Sequence, residues 1–464
     1  MFLDMSLDYA TFFNAINPSK TLVYSSPTDR QYYIDFSSVR GGEIIKKIKN
    51  RIVELYKDRP SCSLFTGHIG CGKSTELHKL KSELEAENFF VVYFESDKDL
   101  DTGDVDIVEV LLTIAKQISE ALEKHKTINQ PQAPLLRRLL QRTTDILMTE
   151  MEVKGGIKSP ISVGGMSGSL EVDTEKQALS LSAGIASLTV KAKDDSGIRE
   201  KLNQYLGPQT TELVRTINED LIKPGIETLK QNGYAGLAVI VDNLDRVDHR
   251  QKASGKTQQE YLFVDRGEIL TQFACHTIYT MPLALQFSNE YGNLRQRFPD
   301  PPECLPMVAI KTRTGEESSE GIEKLKQMVL ARAFPQLSEA ERLERVEEIF
   351  ETMEVFNRLC RVSGGHVRDL LQLLSQWVQE EMQLPLTEDS LDDAIADNLN
   401  KMSLGVSPEE WELLRQVHQT KKVQDTVGYE RLIRTRRVFE YVERRKSWFD
   451  VNPIFLESDE LFES

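Results

Sequence analysis

The sequence predicts an α/β fold built on a parallel sheet, followed by a small helical region and a C-terminal module of helices and a hairpin. Three observations carry this prediction. A short apolar run leads directly into a glycine-rich loop and then a helix. A longer apolar run ends in an acidic residue, as buried parallel strands do at their carboxyl ends. Beyond these runs, helical periodicity continues until two β-rich runs near the end of the chain.

Composition and charge describe a folded protein of several domains. With 464 residues, the chain exceeds the ~250–300 residues that one core usually reaches. Hydrophobic residues at 40% and charged residues at 28% lie in the globular range, so we expect most of the chain to fold. The formal net charge of -16 argues against non-specific coating of nucleic acid, although a local basic patch is compatible with it.

The sequence favours a cytoplasmic protein. Its first residues carry acids without a basic flank, unlike a signal peptide, and no run approaches the ~20 apolar residues of a membrane span. The cysteines are scattered and lack metal-ligand spacing: Cys62, Cys71, Cys275, Cys304 and Cys360. We therefore expect reduced thiols and no membrane partner.

A glycine-rich loop is the strongest functional signal. It matches G-x-x-x-x-G-K-[ST] and has the apolar strand before it and the amphipathic helix after it that this motif requires. Glycines let backbone N–H groups surround a phosphate, and a helix N-terminus favours negative charge. The loop predicts a nucleotide site made of Gly67, His68, Ile69, Gly70, Cys71, Gly72, Lys73, Ser74 and Thr75.

Within this loop, two side chains have expected roles. Lys73 should reach the β- and γ-phosphates of ATP, and Ser74 should bind Mg²⁺. His68 and Cys71 occupy variable positions of the motif, and we interpret both as loop residues without a catalytic part.

A second apolar strand, residues 237–241, ends at Asp242. We expect this acid to lie at the same edge of the sheet as the glycine-rich loop and to be the acid on the side of the metal ion. The acid that orients the attacking water is open between Asp245, one short turn beyond and preferred, and Glu95, at the end of the apolar run 89–94. A structural cap, or a contact to the water shell of the magnesium ion, explains either acid equally well.

Two further runs complete the predicted sheet. Residues 276–280 are β-rich, and Thr280 should face the γ-phosphate if this strand lies beside the loop strand. Residues 305–310 are expected to form the last strand. Between these runs, Arg295 and Arg297 are either surface residues or arginines that enter the nucleotide site of a neighbouring subunit.

Together these motifs resemble those of AAA+-type P-loop ATPases, in the branch that includes the origin-recognition ATPases and the STAND signalling NTPases. The resemblance rests on GHIGCGKST, LAVIVDNLD, the end of the Thr280 strand and SGGHVRDLL at 363–371. It implies a P-loop NTPase core, adenine as the base, hydrolysis of ATP to ADP and phosphate, self-association, and contact of Arg368 with the γ-phosphate. Asn243 departs from the Asp-Glu pair of the family, which predicts slow hydrolysis.

The chain beyond the sheet is predicted to be helical. Ser338 and Glu341 form a capping box, and Gly364-Gly365 separates this region from a helix over 367–381. The predicted domains are an N-terminal linker region (1–60), the ATPase core (61–318) with an insertion at about 150–195, a helical lid (319–385) and a winged-helix-like domain (386–464).

The insertion is not part of a minimal nucleotide core, and its residues 154–193 are rich in Gly and Ser. Alternation at Leu179, Leu181 and 185–190 predicts short strands or a hairpin. Such a segment either contacts a partner or is a disordered excursion. Pro131 and Pro134 predict a hinge or a turn before it.

The C-terminal module has helix starts at Thr387 and Ser407, a helix at 429–434 and two β-rich runs around a basic tip, which resembles a winged helix. It either packs on the core as a switch, the preferred role, or binds DNA. The DNA contacts would come from Arg431, Arg434, Arg436, Arg437, Arg444, Arg445 and Lys446.

The preferred function is an ATP-driven switch, which the resemblance places in signalling or defence with a protein partner or effector on a separate chain. The alternatives are a DNA-binding ATPase, initiator-like or transposition-regulator-like, and a non-hydrolysing scaffold held by nucleotide.

Overall fold

A parallel sheet forms the centre of the computed structural model, which describes residues 7–125, 133–154, 180–424 and 428–462. Its five strands lie in the order β2-β3-β4-β1-β5, and each paired neighbour is parallel. Strands β1, β3 and β4 are buried along their whole length, as their apolar runs predict. The bounds are β1 Cys62–Gly67, β2 Phe89–Glu95, β3 Gly236–Asp242, β4 His276–Met281 and β5 Glu303–Leu305.

Helices cover both faces of this sheet. The helix after the glycine-rich loop, α4, packs with α3 beneath one face, and α6 with the helices that follow it covers the other. The helices up to the end of the sheet are α1 Tyr9–Ala15, α2 Pro27–Arg30, α3 Ile44–Asn50, α4 Lys73–Ala86, α5 Ser96–Asp99, α6 Ile107–Lys124, α7 Pro134–Lys154, α8 Leu181–Asp194, α9 Ser196–Leu206, α10 Thr210–Ile217, α11 Lys223–Gln231, α12 Gln258–Glu260, α13 Gly267–Leu270 and α14 Tyr291–Arg297.

A helical lid follows the sheet and packs around its own apolar core. That core also takes in Phe12, Ile16 and Phe36 from the start of the chain, so the N-terminal segment is fastened to the lid. The lid helices are α15 Ser319–Ala333, α16 Glu339–Glu344, α17 Met353–Val362, α18 Val367–Glu381 and α19 Glu388–Ser403. Ser338 and Glu341 form the predicted capping box at the start of α16.

The C-terminal module consists of α20 Pro408–Thr420, α21 Tyr429–Arg434 and an antiparallel hairpin of β6 Val438–Glu443 and β7 Lys446–Val451. Arg444 and Arg445 make the two-residue turn with φ of 49° and 65°, the left-handed conformation that matches hairpin twist. The predicted fold class is therefore confirmed: a P-loop core with a parallel sheet, a small helical lid, and helices followed by a hairpin. Among the described residues, no helix combines the length and apolarity needed to cross a membrane.

Strands were predicted wrongly in two segments. The strand expected over 305–310 ends at Leu305, because Pro306 has no N–H to donate and the following amides bind elsewhere: Met307 N donates to Glu440 O at 3.0 Å. The strands expected in the insertion are replaced by α8, in which Leu181, Ile185 and Leu188 share one buried face. Leu179 and Pro131 lie outside the described residues, and Pro134 is the first residue of α7 rather than part of a turn.

Candidate nucleotide-binding site

The glycine-rich loop, hereafter the P-loop (residues 67–75), has the wrapped backbone that its sequence predicts. Gly72 is the N-cap of α4 with φ of 104°, a conformation that side chains disfavour. Gly70 has φ of 94°, and a β-carbon there would lie 2.7 Å from His366 Cε1. The lid therefore sits directly against the tip of the loop, and only glycine fits at the contact.

A cavity opens in front of the P-loop. Its walls come from four parts of the chain: P-loop residues 69–75 with Glu76; Asn243, Asp245 and Arg246 after β3; Pro18, Lys20, Thr21, Leu22, Tyr32, Tyr33, Ile34, Phe36 and Arg40 of the N-terminal segment; and Met328, Arg332, Val367, Arg368 and Leu371 of the lid.

Lys73 is buried at the base of this cavity. Its ammonium group donates to the carbonyl oxygens of Gly67 at 2.8 Å and His68 at 2.9 Å, and it lies 3.0 Å from Asp245 Oδ2. Burial alone would lower the pKa of Lys73, but the acidic groups around it, Asp245 foremost, together outweigh burial and the pKa is raised. Lys73 is therefore held protonated by an acid that a phosphate group would have to replace.

Asp242 ends β3 beside this pair and is almost fully buried. Tyr93 Oη donates to Asp242 Oδ2 at 2.7 Å, and the backbone amide of Asn243 donates to Oδ1 at 2.7 Å. The nearby Ser74 hydroxyl favours the ionised carboxylate and so acts to lower its pKa. Burial, reinforced by the charge of Asp245, raises the pKa of Asp242. Carboxylate and hydroxyl oxygens are the donors that Mg²⁺ accepts, so Ser74 and Asp242 together fit this ion.

Asn243 has a structural reason to differ from glutamate. Its φ of 61° lies in the left-handed region, which asparagine tolerates better than most residues. Its side-chain amide donates to Asp97 Oδ1 at 2.9 Å, so the turn after β3 is tied to the end of β2.

The two candidate water-orienting acids occupy different places. Asp245 lines the cavity and pairs with Lys73. Glu95 lies at the same edge of the sheet, opposite Asp242 in the strand register, but its carboxylate pairs with Lys98 Nζ at 3.0 Å. The structure thus brings Asp245 together with the P-loop and places Glu95 to one side.

Thr280 is the last residue but one of β4, which lies next to the loop strand, and Phe65 is its register partner. Its hydroxyl accepts from the backbone amides of Leu244 at 2.9 Å and Asp245 at 3.3 Å. Thr280 therefore holds the short 3-10 turn Leu244–Arg246 that carries Asp245. Its contact with a γ-phosphate remains a prediction.

Arg368 reaches the cavity from the start of α18. Its backbone amide donates to Gly70 O at 3.2 Å, and the neighbouring His366 ring nitrogen bonds to Ile69 O at 2.9 Å. Burial lowers the pKa of Arg368, and the charges of Arg246 and Arg436 add to this effect. In the described part of the chain, no carboxylate forms an ion pair with its guanidinium group.

Arg295 and Arg297 lie on α14 and are exposed. Arg297 is 3.7 Å from Glu268 in a surface pair. Neither arginine lines the cavity of its own chain, so a role in a neighbouring subunit remains a prediction.

The back of the P-loop, away from the cavity, contacts the C-terminal hairpin. His68 Nε2 accepts from the backbone amide of Glu440 at 3.1 Å. The Phe439 ring lies between two histidines, edge-on to His68 with ring centroids 5.5 Å apart and stacked on His366 with centroids 5.5 Å apart. Burial lowers the pKa of His68, because protonation would place a charge in this packed contact.

Further contacts fasten the hairpin to the lid and to the end of the sheet. Arg436 pairs with Asp369 of α18 at 2.6 Å, and Tyr441 Oη donates to Gly364 O at 2.8 Å. Cys71, a variable loop position, is buried with its thiol 3.8 Å from Leu305 O. Sequence reasoning missed these contacts because the partners lie far apart in the chain and no motif connects them.

Three of the basic residues that could bind DNA are already paired within the chain. Arg431 and Arg437 bind the two oxygens of Glu410 at 3.0 and 2.9 Å, and Arg436 binds Asp369. The remaining residues are exposed: Arg434, Arg444, Arg445 and Lys446.

Comparisons with known proteins give distant structural likenesses. No family model and no curated protein matches the chain. Cdc6p from Pyrobaculum aerophilum is 10% identical, with 97% of this chain and 96% of that chain covered and a TM-score of 0.37. The Aeropyrum pernix ORC2 protein, solved as ADPNP–ADP complexes, is 11% identical over 95% and 93% with a TM-score of 0.38. The RuvB Holliday junction branch migration motor of Thermotoga maritima is 11% identical over 92% and 97% with a TM-score of 0.32.

At such low similarity, these likenesses transfer no residue role to this chain. Its own fold and site define the class: a P-loop protein with a cavity in front of the loop. The loop strand β1 lies between β4 and β5, and the lid covers the tip of the P-loop. In its fold, this architecture agrees with the predicted resemblance to AAA+-type P-loop ATPases.

Proposed function

We propose that this protein is an ATP-binding and ATP-hydrolysing conformational switch. One observation carries the proposal: a single loop of nine residues, 67–75, contacts the cavity on one side, the lid at its tip and the hairpin on the other side. A change in what occupies the cavity therefore acts on a loop that two other parts of the chain hold.

ATP would bind with its phosphates on the backbone amides of the P-loop and the N-terminus of α4. Lys73 would exchange its contact with Asp245 for one with the β- and γ-phosphates, since it now lies 3.0 Å from that carboxylate. Mg²⁺ between Ser74 and Asp242 would supply positive charge against the phosphates. Asp245, released from Lys73, is the acid best placed to orient the attacking water.

The base would occupy the far part of the cavity. Tyr32, Phe36, Met328 and Leu371 offer apolar and aromatic surface there, which suits a purine. Adenine is the base that we propose, on the predicted resemblance. Hydrolysis is expected to be slow, because the position after Asp242 is an asparagine whose amide is bound to Asp97.

The lid and hairpin would report the nucleotide state. Arg368 enters the cavity from α18 and would bind the γ-phosphate, which joins the lid to the core. Loss of the γ-phosphate would remove that link, while the hairpin contact with His68 and His366 transmits the change to the C-terminal module. We further propose action in the cytoplasm, in signalling or defence, with self-association and a partner or effector on a separate chain.

Phosphate release from ATP with Mg²⁺ tests this function, with Lys73→Ala, Asp242→Ala and Asp245→Asn beside the parent. Asp248→Asn is the matched control, because Asp248 lies three residues beyond Asp245 and is exposed. We expect turnover to fall in the first three variants and to persist in the control. Tight ATP binding by the parent without turnover would instead make the protein a nucleotide-held scaffold.

A DNA-binding ATPase is the second candidate, favoured by the exposed basic turn at Arg444 and Arg445. If this turn contacts phosphates, duplex DNA should stimulate turnover at low salt, and Arg444→Ser with Arg445→Ser should abolish the stimulation. Stimulation that persists in this double variant would remove the turn as the DNA contact. If DNA does not stimulate the parent protein, packing remains as the role of the hairpin.

A further inference from the structure

Arg246 occupies a position at the cavity that the P-loop motif does not explain. It ends the 3-10 turn Leu244–Arg246 that also carries Asp245, and it lines the same cavity as Lys73. Its guanidinium NH1 lies 2.9 Å from Asp97 Oδ2, and its side chain remains 42% exposed. Arg246 therefore follows directly after the acid that contacts Lys73, and its ion pair with Asp97 is accessible to solvent.

Asp97 binds two residues of the turn after β3. Asp97 Oδ1 accepts a hydrogen bond from the side-chain amide of Asn243 at 2.9 Å, and Oδ2 accepts one from Arg246. Each oxygen thus serves one residue of the turn after β3. If Arg246 left, Asp97 would still hold Asn243, so the turn would keep its shape while one positive charge moved.

Arg368 lines the same cavity as Arg246. The two guanidinium groups come from different parts of the chain, one from the core and one from the lid. Burial lowers the pKa of Arg368, and repulsion from the like charge of Arg246 adds to this effect. An anion between two such groups, with donors directed from both sides, converts that repulsion into attraction.

We propose that Arg246 exchanges Asp97 for the γ-phosphate of a bound nucleoside triphosphate and, with Arg368, grips it from two sides. The inference rests on the proposed nucleotide function and deepens it, because it assigns a residue that distinguishes a triphosphate from a diphosphate. It also places both phosphate-binding arginines in one chain. Arg295 and Arg297 are then not required from a neighbouring subunit.

Binding constants for two probes test this inference: ADP with Mg²⁺ and a non-hydrolysable ATP analogue with Mg²⁺. Loss of one charge-assisted contact should weaken binding of the analogue to Arg246→Gln by about ten-fold or more, with ADP changed by less than about two-fold. Arg250→Gln is the control, since Arg250 follows four residues later in the same loop and is exposed. It should change neither constant.

Asp97→Asn provides a readout that a merely structural role would not give. The substitution keeps an oxygen that can accept from Asn243 and removes the charge that competes for Arg246. We expect it to strengthen analogue binding, and we expect Arg246→Gln added to it to abolish the gain.

Three results would overturn the inference. Equal weakening of both probes by Arg246→Gln would make the residue structural, and no change in either would remove it from the site. A gain in Asp97→Asn that survives the second substitution would also contradict it. If the parent protein bound neither probe, the proposed function itself would fail, which the parent measurement shows before any variant is compared.

Discussion

The two sides of the P-loop are built from different kinds of contact. The cavity side carries charges that can change partner: Lys73 on Asp245 and, beside it, Arg246 on Asp97. The hairpin side carries a buried aromatic ring between two histidines and a backbone amide bonded to His68. A ligand in the cavity can offer these charges new partners, whereas a packed aromatic contact resists rearrangement.

This difference suggests that the two sides of the loop have different roles. The cavity side senses the ligand through charge, and the hairpin side keeps the loop attached to the C-terminal module while it does so. If the division holds, variants on the hairpin side should change stability more than nucleotide affinity, and those on the cavity side should do the reverse.

Removal of the Phe439 ring should have the largest effect of the hairpin-side variants. Phe439 is fully buried, and loss of a buried aromatic ring costs about 3–5 kcal/mol of unfolding free energy. We expect Phe439→Ala to lower stability to that extent in urea unfolding, while nucleotide affinity under native conditions changes far less. Phe462→Ala is the control, because that ring is 63% exposed.

A small stability loss in Phe439→Ala, or a loss of nucleotide affinity as large as the loss in stability, would break the comparison. The first result would mean that the hairpin contact is weak. The second would mean that the two sides of the loop act as one unit.

The sequence predicts the cavity side far better than the hairpin side, for physical reasons. Phosphate binding imposes residue types at fixed spacing, so Gly67 to Thr75 and Asp242 can be identified from local patterns. The contact of His68 with Glu440 has no such constraint, since it joins residues 372 apart in the chain and satisfies one backbone amide. Asp97 escapes prediction likewise, because its partners become neighbours only when β2 pairs with β3.

The fold follows the same rule. Buried strands and capping boxes are local signals, and they predict β1, β3, β4 and the helix starts at Ser338 and Ser407. The errors arise where local pattern and tertiary position disagree. Residues 306–310 are apolar because they are buried between the hairpin and the N-terminal segment, where Ala309 N donates to Val39 O, and not because they join the sheet.

The pH dependence of stability gives a further test of the hairpin side of the P-loop, through the protonation of His68. Burial lowers the pKa of His68 in the folded state, with His366, Lys73 and Arg436 adding positive charge nearby and Asp369 opposing them. As pH falls through ~6.5, His68 therefore binds a proton in the unfolded chain before it does so in the folded protein. Its contribution to stability is complete above that pH and is lost progressively below it. This single group would cost up to about 2 kcal/mol between pH 6.5 and 5.

His68→Gln keeps an acceptor for the Glu440 amide and removes the titration. We expect urea unfolding of this variant to lose less stability over that pH range than the parent does. The difference between the two profiles isolates His68, because His276 is also buried, has its pKa lowered to about 4 and contributes equally to both proteins. Parallel profiles would show that His68 is not the group that titrates.

The ion pair between Asp369 and Arg436 gives the smallest effect and the most specific test, because it joins the lid to the hairpin without touching the cavity. Its N–O distance is 2.6 Å, and the two side chains are 20% and 34% exposed. Partial exposure screens the pair, so a double-mutant cycle with Asp369→Asn and Arg436→Gln should give a coupling energy of about 1 kcal/mol. Measured again with a non-hydrolysable ATP analogue bound, the coupling should fall if the γ-phosphate draws α18 towards the core through Arg368. An unchanged coupling would mean that lid and hairpin move as one body, and the switch would then lie between that body and the sheet.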